Sequence, residues 1–233
     1  MGDPGKVSAY FEGIYSTSDL QVSFDGANIM RPTNGPNGSK EYLTRRHWLH
    51  VDSDCSSPPE LSGYQALVSV SGMDGTDGKG GCFQAVLGSH TDDFRKFNEA
   101  GHMVWGSTST SVPRTHELRQ RMSRVIAPDR SLVVWKNEVF HCNSPHMSSR
   151  FRYTQYVNFV PSSRVSEETH YNRVSAFVRG VGSTHRVESF WPSSELCWDF
   201  IAPNLTPRQK ELLGSCDDSD CLCQNVMASD SIS

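Results

Sequence analysis

No apolar run in this 233-residue chain approaches the ~20 residues that a membrane-crossing helix requires. The opening Met1-Gly2-Asp3-Pro4-Gly5-Lys6 lacks the apolar centre of a secretory leader. Gly2 stands where a myristoylated glycine would, but Lys6 occupies the position that calls for Ser or Thr. Basic excess is also missing: 22 Lys and Arg face 26 Asp and Glu, for a net charge of −4 and a pI near 6.1. A chain that grips a phosphate backbone normally carries a basic face, so no nucleic-acid partner is expected, and no membrane. A disulfide framework is not expected either. Seven Cys is an odd number and most are isolated, which suits reduced thiols in a cytoplasmic protein. Cys216, Cys221 and Cys223 cluster near the end, but without a fourth ligand or zinc-site spacing they read as free thiols.

What remains is 36% hydrophobic and 21% charged, rich in Gly, Ser and Thr. That describes a loop-rich, mostly β domain, and the length suits one substantial core better than two. Residues 1–40 are dense in turn chemistry, with one expected strand at Leu20–Phe24. Strands are expected from Tyr42 to Val51, Gln65 to Ser71, Ser131 to Trp135 and Phe151 to Val160, with a short apolar one in the Gly81 to His90 stretch that ends in Gly88-Ser89-His90. Gly72 to Gly81 resembles a phosphate loop but lacks the Gly-Lys-Ser/Thr ending, and reads as a connection. Thr91 to Glu99 reads as a short helix or turn, and Thr115 to Arg124 has helical composition with a basic face. Ser166 to Arg179 has helical spacing and stops before Gly180. Thr206-Pro207-Arg208-Gln209 fits a capping box with Pro at the first helical position, and Gly214 ends that helix. The expected organisation is one domain over 1–233: a barrel core at about 42–160, a helical flank at about 164–214 and a polar tail at 217–233.

The chemistry concentrates in Arg46-His47-Trp48-Leu49-His50-Val51-Asp52. In a strand, His50 and Asp52 point to the same face. An imidazole and a carboxylate side by side, with a distant second His, make a three-point face for iron(II) that leaves positions open for substrate and oxygen. His141 supplies that second His 89 residues after Asp52, beyond the Val133-Val134-Trp135 strand and the Asn137-Glu138 turn. Arg152 follows 11 residues later on an expected strand, where it could hold a carboxylate in a two-pronged salt bridge. His47 and His90 compete as ligands by type; His90 reads rather as a loop-anchoring residue. Arg150 and Lys136 compete with Arg152.

Four pieces resemble the phytanoyl-CoA dioxygenase-like branch of the iron(II)/2-oxoglutarate oxygenases. They are Trp48-Leu49-His50-Val51-Asp52, Gly81-Cys82-Phe83 through Gly88-Ser89-His90, Val133-Val134-Trp135 through His141, and Phe151-Arg152. The likeness covers about residues 42–160. It implies a double-stranded β-helix, a jelly-roll, cupin-like barrel with a few flanking helices. It implies iron held by His50, Asp52 and His141, with 2-oxoglutarate held by Arg152 and helped by Asn143. The reaction it implies hydroxylates a small organic substrate with O2 and releases succinate and carbon dioxide. Asp52 favours hydroxylation, since halogenating relatives have a small residue there. The chain departs from the family at Leu87, where Pro is usual, and at Cys142, where Gly often follows the distal His. Its short N-terminal region weakens the case for a CoA thioester substrate.

Three other readings stay open. One is a cupin-like protein that binds metal or a small molecule without turnover. Another is a nucleic-acid demethylase, against which Asn158 stands where such enzymes carry a second Arg. The third is a protein or peptide hydroxylase, with Tyr10, Tyr15, Trp105 and Trp191 lining a groove.

Overall fold

The structure is a computed structural model that describes residues 4–52, 63–73, 79–103, 109–183, 186–188 and 203–214. Two compact units emerge, one spanning Ala27–Gln155 and the other combining Met1–Gly26 with Tyr156–Ser233. Helix and strand contribute in nearly equal measure, and the sheets are mostly antiparallel.

The Ala27–Gln155 unit holds two sheets. One has strand order β2 (Ala27–Met30), β10 (Arg152–Val157), β4 (Tyr64–Ser71), β8 (Ser131–Lys136). The other runs β6 (Thr110–Ser111), β3 (His50–Val51), β9 (His141–Asn143), β5 (Phe83–Val86), β7 (Met122–Val125). Alternation sorts the second sheet: Leu49, Val51, Phe140 and Cys142 fall on one face and pack with Phe97 of helix α2 (Asp92–Glu99). His50, Asp52 and His141 fall on the other. The two sheets meet across that face, with the Phe83 and Trp135 rings 4.4 Å apart. The described strands do not close into a barrel.

Four sequence expectations change in detail. The 42–51 stretch is not one strand: a 3-10 turn occupies Lys40–Tyr42 and only His50–Val51 pairs into a sheet. His47 adopts a left-handed backbone, φ 57°, which breaks any strand running through it. Thr115–Arg124 does not form a helix. A 3-10 turn at Glu117–Arg121 gives way to β7, whose Met122–Val125 registers against Val86–Phe83 of β5. Sheet pairing there outweighs local propensity, and Arg119 turns its guanidinium to the carbonyls of Val112 and Pro113. The 151–160 strand divides into β10 and β11 (Phe159–Pro161). Finally, turn-rich residues 1–40 contain helix α1 (Pro4–Tyr15), which buries Phe11 against Phe159 with ring centres 4.8 Å apart.

In the terminal unit, β1 (Leu20–Val22) pairs with β11. Helix α3 (Glu167–Val178) is capped by Ser166, whose Oγ accepts from the Thr169 amide at 3.2 Å. Arg173 is buried and donates to Gln21 Oε1 and to the Val22 and Leu213 carbonyls, with its guanidinium over Phe24. Burial lowers its pKa to about 10. The capping box expected at Thr206 forms at the start of α4 (Pro207–Leu213), and Gly214 ends it in the left-handed region at φ 95°.

Candidate metal centre

Neighbouring strands β3 and β9 place His50 directly opposite His141. That register turns a sequence separation of 91 residues into adjacency, with imidazole centres 4.4 Å apart. Asp52 follows His50 by two residues and falls on the same face. Its Oδ2 lies 3.5 Å from His50 Nε2 and 3.3 Å from His141 Nε2. One ligand atom from each residue lies within 4.8 Å of the others. All three side chains are at least nine-tenths buried or close to it.

The backbone commits both rings in the same way. His50 Nδ1 is 3.0 Å from the Trp48 carbonyl and His141 Nδ1 is 2.9 Å from the Val139 carbonyl, in each case two residues back. A carbonyl only accepts, so each Nδ1 must carry the proton and donate. Each Nε2 is then left facing the Asp52 carboxylate, where it needs either a second proton or a cation. This is the arrangement that fixes tautomer and ring orientation in metal-bound histidines. Trp48 adds a second restraint by stacking on the His50 ring, 4.8 Å between centres and 14° between planes. The donor set of two imidazoles and one carboxylate suits iron(II) and leaves three adjacent positions open.

Titration properties follow from the same contacts. Burial is the largest influence on Asp52 and opposes its ionisation, yet hydrogen bonds from His141 and His50 outweigh it and hold the carboxyl well below its ordinary range. Burial likewise works against a charged His50, but hydrogen bonding and charge from Asp52, with the Trp48 carbonyl, raise its pKa.

No family model matches the chain, and no curated protein does.

The facing sheet contributes residues that the sequence reading did not assign to the site. Gln65 on β4 donates its Nε2 to Asp52 Oδ2 at 3.3 Å. Trp135, paired opposite Gln65 in the β4–β8 ladder, places its ring 5.1 Å from His141. The available signal was a polar residue, Gln65, immediately before the apolar run Ala66-Leu67-Val68, at a position that points inward.

Arg152 is fully buried, with Nη1 and Nη2 each 3.3 Å from the thioether sulfurs of Met30 and Met73. These are weak acceptors. Gly72 permits the approach: at φ +84°, a Cβ there would stand 2.5 Å from the Phe151 carbonyl oxygen and 2.9 Å from Arg152 Cα. Its rivals lie elsewhere. Arg150 and Lys136 are exposed, and the Arg150 carbonyl accepts from His146 Nε2 at 2.6 Å. Asn143 is buried one register step from His141, opposite Phe83, and its carbonyl accepts from Trp48 Nε1 at 3.0 Å. His47 is exposed and His90 half-buried, and neither belongs to the metal-ligating group. Cys216, Cys221, Cys223, Trp105 and Trp191 lie outside the described residues. Tyr10 is exposed on α1. Among the described residues, no helix is long and apolar enough to cross a membrane.

Proposed function

We propose that this chain is an iron(II)- and 2-oxoglutarate-dependent dioxygenase that hydroxylates a small organic substrate and releases succinate and carbon dioxide. The observation that carries the reading is the convergence of His50, Asp52 and His141, with both Nδ1 atoms tied back to carbonyls and both Nε2 atoms turned to one carboxylate oxygen. The two facing antiparallel sheets, with this group on an inward face, are compatible with a double-stranded β-helix.

In this reading His50, Asp52 and His141 hold the metal. Bound iron supplies oxygen activation coupled to decarboxylation of the cosubstrate. Arg152 is a permanent cation in the interior and pairs with the distal carboxylate of 2-oxoglutarate. Asn143 assists that end of the site. Gln65 holds the Asp52 carboxylate in orientation, while Phe83 and Trp135 wall the site against water.

The test is anaerobic titration with iron(II) and then 2-oxoglutarate, following the visible metal-to-ligand charge-transfer band. A band in the wild type that vanishes in His141→Ala is expected. A folded wild-type protein with no band overturns the proposal and favours a protein that binds small molecules without oxidative turnover.

A further inference from the structure

The inward face of the four-stranded sheet carries buried polar atoms with no hydrogen-bond partner among the described residues. Trp135 is 8% exposed and its Nε1 has no hydrogen-bond partner. Ser69 is 0% exposed and its Oγ has none either. Both lie on the β4–β8 ladder, in which Gln65 faces Trp135 and Ser69 faces Ser131. Residues 65, 67 and 69 share one side of β4, so Gln65 and Ser69 point the same way as each other and as Trp135. Gln65 reaches Asp52 and the Trp135 ring reaches both Phe83 and His141, so that side is the metal-centre side. Buried polar groups are nearly always paired, because desolvation without a partner is costly. An indole N–H has a single use, as a donor.

We propose that Trp135 Nε1 is a ligand-binding donor and that its acceptor is the carboxylate of a small organic acid bound between the sheets. The inference rests on the reading of this face as a dioxygenase site. The charge on the face selects the class. Trp135 and Ser69 offer N–H and O–H, and Arg152 offers a guanidinium on the inward side of β10. The carboxylate already present, Asp52, is engaged by His50, His141 and Gln65. A cationic ligand would meet the Arg152 guanidinium and the Trp135 N–H, whereas an acid meets both favourably with the aromatic faces of Phe83 and Trp135 alongside. Two sources share this chemistry: the 2-oxo acid cosubstrate and an acidic primary substrate.

The experiment follows the indole N–H resonances of 15N-labelled protein. There are five tryptophans, and W135F assigns the resonance by its loss. Should W135F not fold, bound Mn(II) identifies the wild-type resonance, since the Trp135 ring lies next to His141. 2-Oxoglutarate, succinate and benzoate are titrated separately, each with and without Zn(II), with benzamide as the neutral control. The expected result is a saturable downfield shift of the Trp135 resonance with at least one acid and not with benzamide. W135F should then bind that acid about tenfold more weakly, the scale of one hydrogen bond to a charged group. A shift with 2-oxoglutarate alone names the cosubstrate as source; a further shift when a second acid is added to the 2-oxoglutarate-saturated protein names the primary substrate. The inference falls if no acid in the set moves the resonance, or if an acid binds with Trp135 silent and W135F unimpaired. A charge-transfer band with Trp135 silent overturns this inference and leaves the dioxygenase reading standing. A Trp135 response without a band does the reverse.

Discussion

Replacing Gln65 by Leu should weaken divalent-metal binding about tenfold while leaving the fold intact. The Gln65 amide lies 3.3 Å from Asp52 Oδ2, the same oxygen that both imidazoles face. A hydrogen bond to a charged group contributes about 1.5–3 kcal/mol. This one is longer than the ~2.7–2.9 Å usual for charge-assisted bonds, so the low end applies. About 1.4 kcal/mol is a factor of ten in an equilibrium constant, consistent with the ~10–100-fold losses seen when a group behind a metal ligand is removed. Leu is close to Gln in length and apolar, and Gln65 is buried, so the substitution leaves no cavity or stranded polar atom at position 65. Calorimetric titration with Co(II), together with the ligand-field spectrum of the bound ion, reads affinity and geometry at once. Unchanged affinity with an unchanged spectrum would refute the positioning role. Loss of cooperative unfolding would instead show that the contact is structural.

Asp52→Ala should abolish metal binding and turnover with a near-native circular dichroism spectrum; unchanged turnover sinks the metal assignment. Arg152→Leu should raise the 2-oxoglutarate concentration needed for the charge-transfer band, and an unchanged requirement transfers that role to Arg150 or Lys136. Gly72→Ala combines a positive φ with a Cβ 2.5 Å from the Phe151 carbonyl oxygen, so it should destabilise by more than about 1 kcal/mol, visible as a lower Tm; an unaltered Tm would contradict the close approach. In the metal-free protein, the raised pKa of His50 means that its stabilisation is complete below the ordinary histidine value and is lost as pH rises through the folded value. The depressed pKa of Asp52 means that its share is present above the ordinary aspartate value and is lost as pH falls through its folded value. Urea midpoints of the metal-free protein should therefore be greatest between the two ordinary values, and His50→Gln should flatten the upper flank. A flank that persists in His50→Gln would assign it to another group.

The convergence of His50, Asp52 and His141 was legible in the sequence because it depends on short-range rules. His50 and Asp52 share a face through the period of two, and the gap to His141 only had to let a later strand return beside the first. The Thr206 capping box was legible for the same reason, since all its bonds fall within four residues. What escaped depended on partners distant in sequence. Residues 115–124 have helical composition, yet Met122–Val125 pairs with β5, about forty residues earlier. Residues 4–15 carry two glycines and a proline, but the burial of Phe11 against Phe159 favours helix. The strand expected from Tyr42 fails at His47 because a backbone at φ 57° cannot be read from residue type. Gln65 and Trp135 were seen as strand residues, and their part in the site follows only from which sheet faces which.

A bound metal would also explain why His50 and His141 sit where they do on their strands. Each ring reaches back to the carbonyl two residues earlier, Trp48 for His50 and Val139 for His141. Both acceptors lie just before the strands, Trp48 ahead of β3 and Val139 ahead of β9. Each Nδ1–H is thereby used up locally, and neither imidazole can turn its Nδ1 to Asp52 without leaving a buried carbonyl and a buried N–H unmet. Two Nε2 lone pairs directed at one carboxylate oxygen would repel it unless something positive stood between them. Protons can serve, and the raised pKa of His50 is that response. A divalent cation would serve both rings and the carboxylate together and displace the proton from His50, so metal affinity should climb as pH rises through the His50 pKa. A pair of histidines kept only for packing has no need of matched backbone restraints that point both acceptors at one anion.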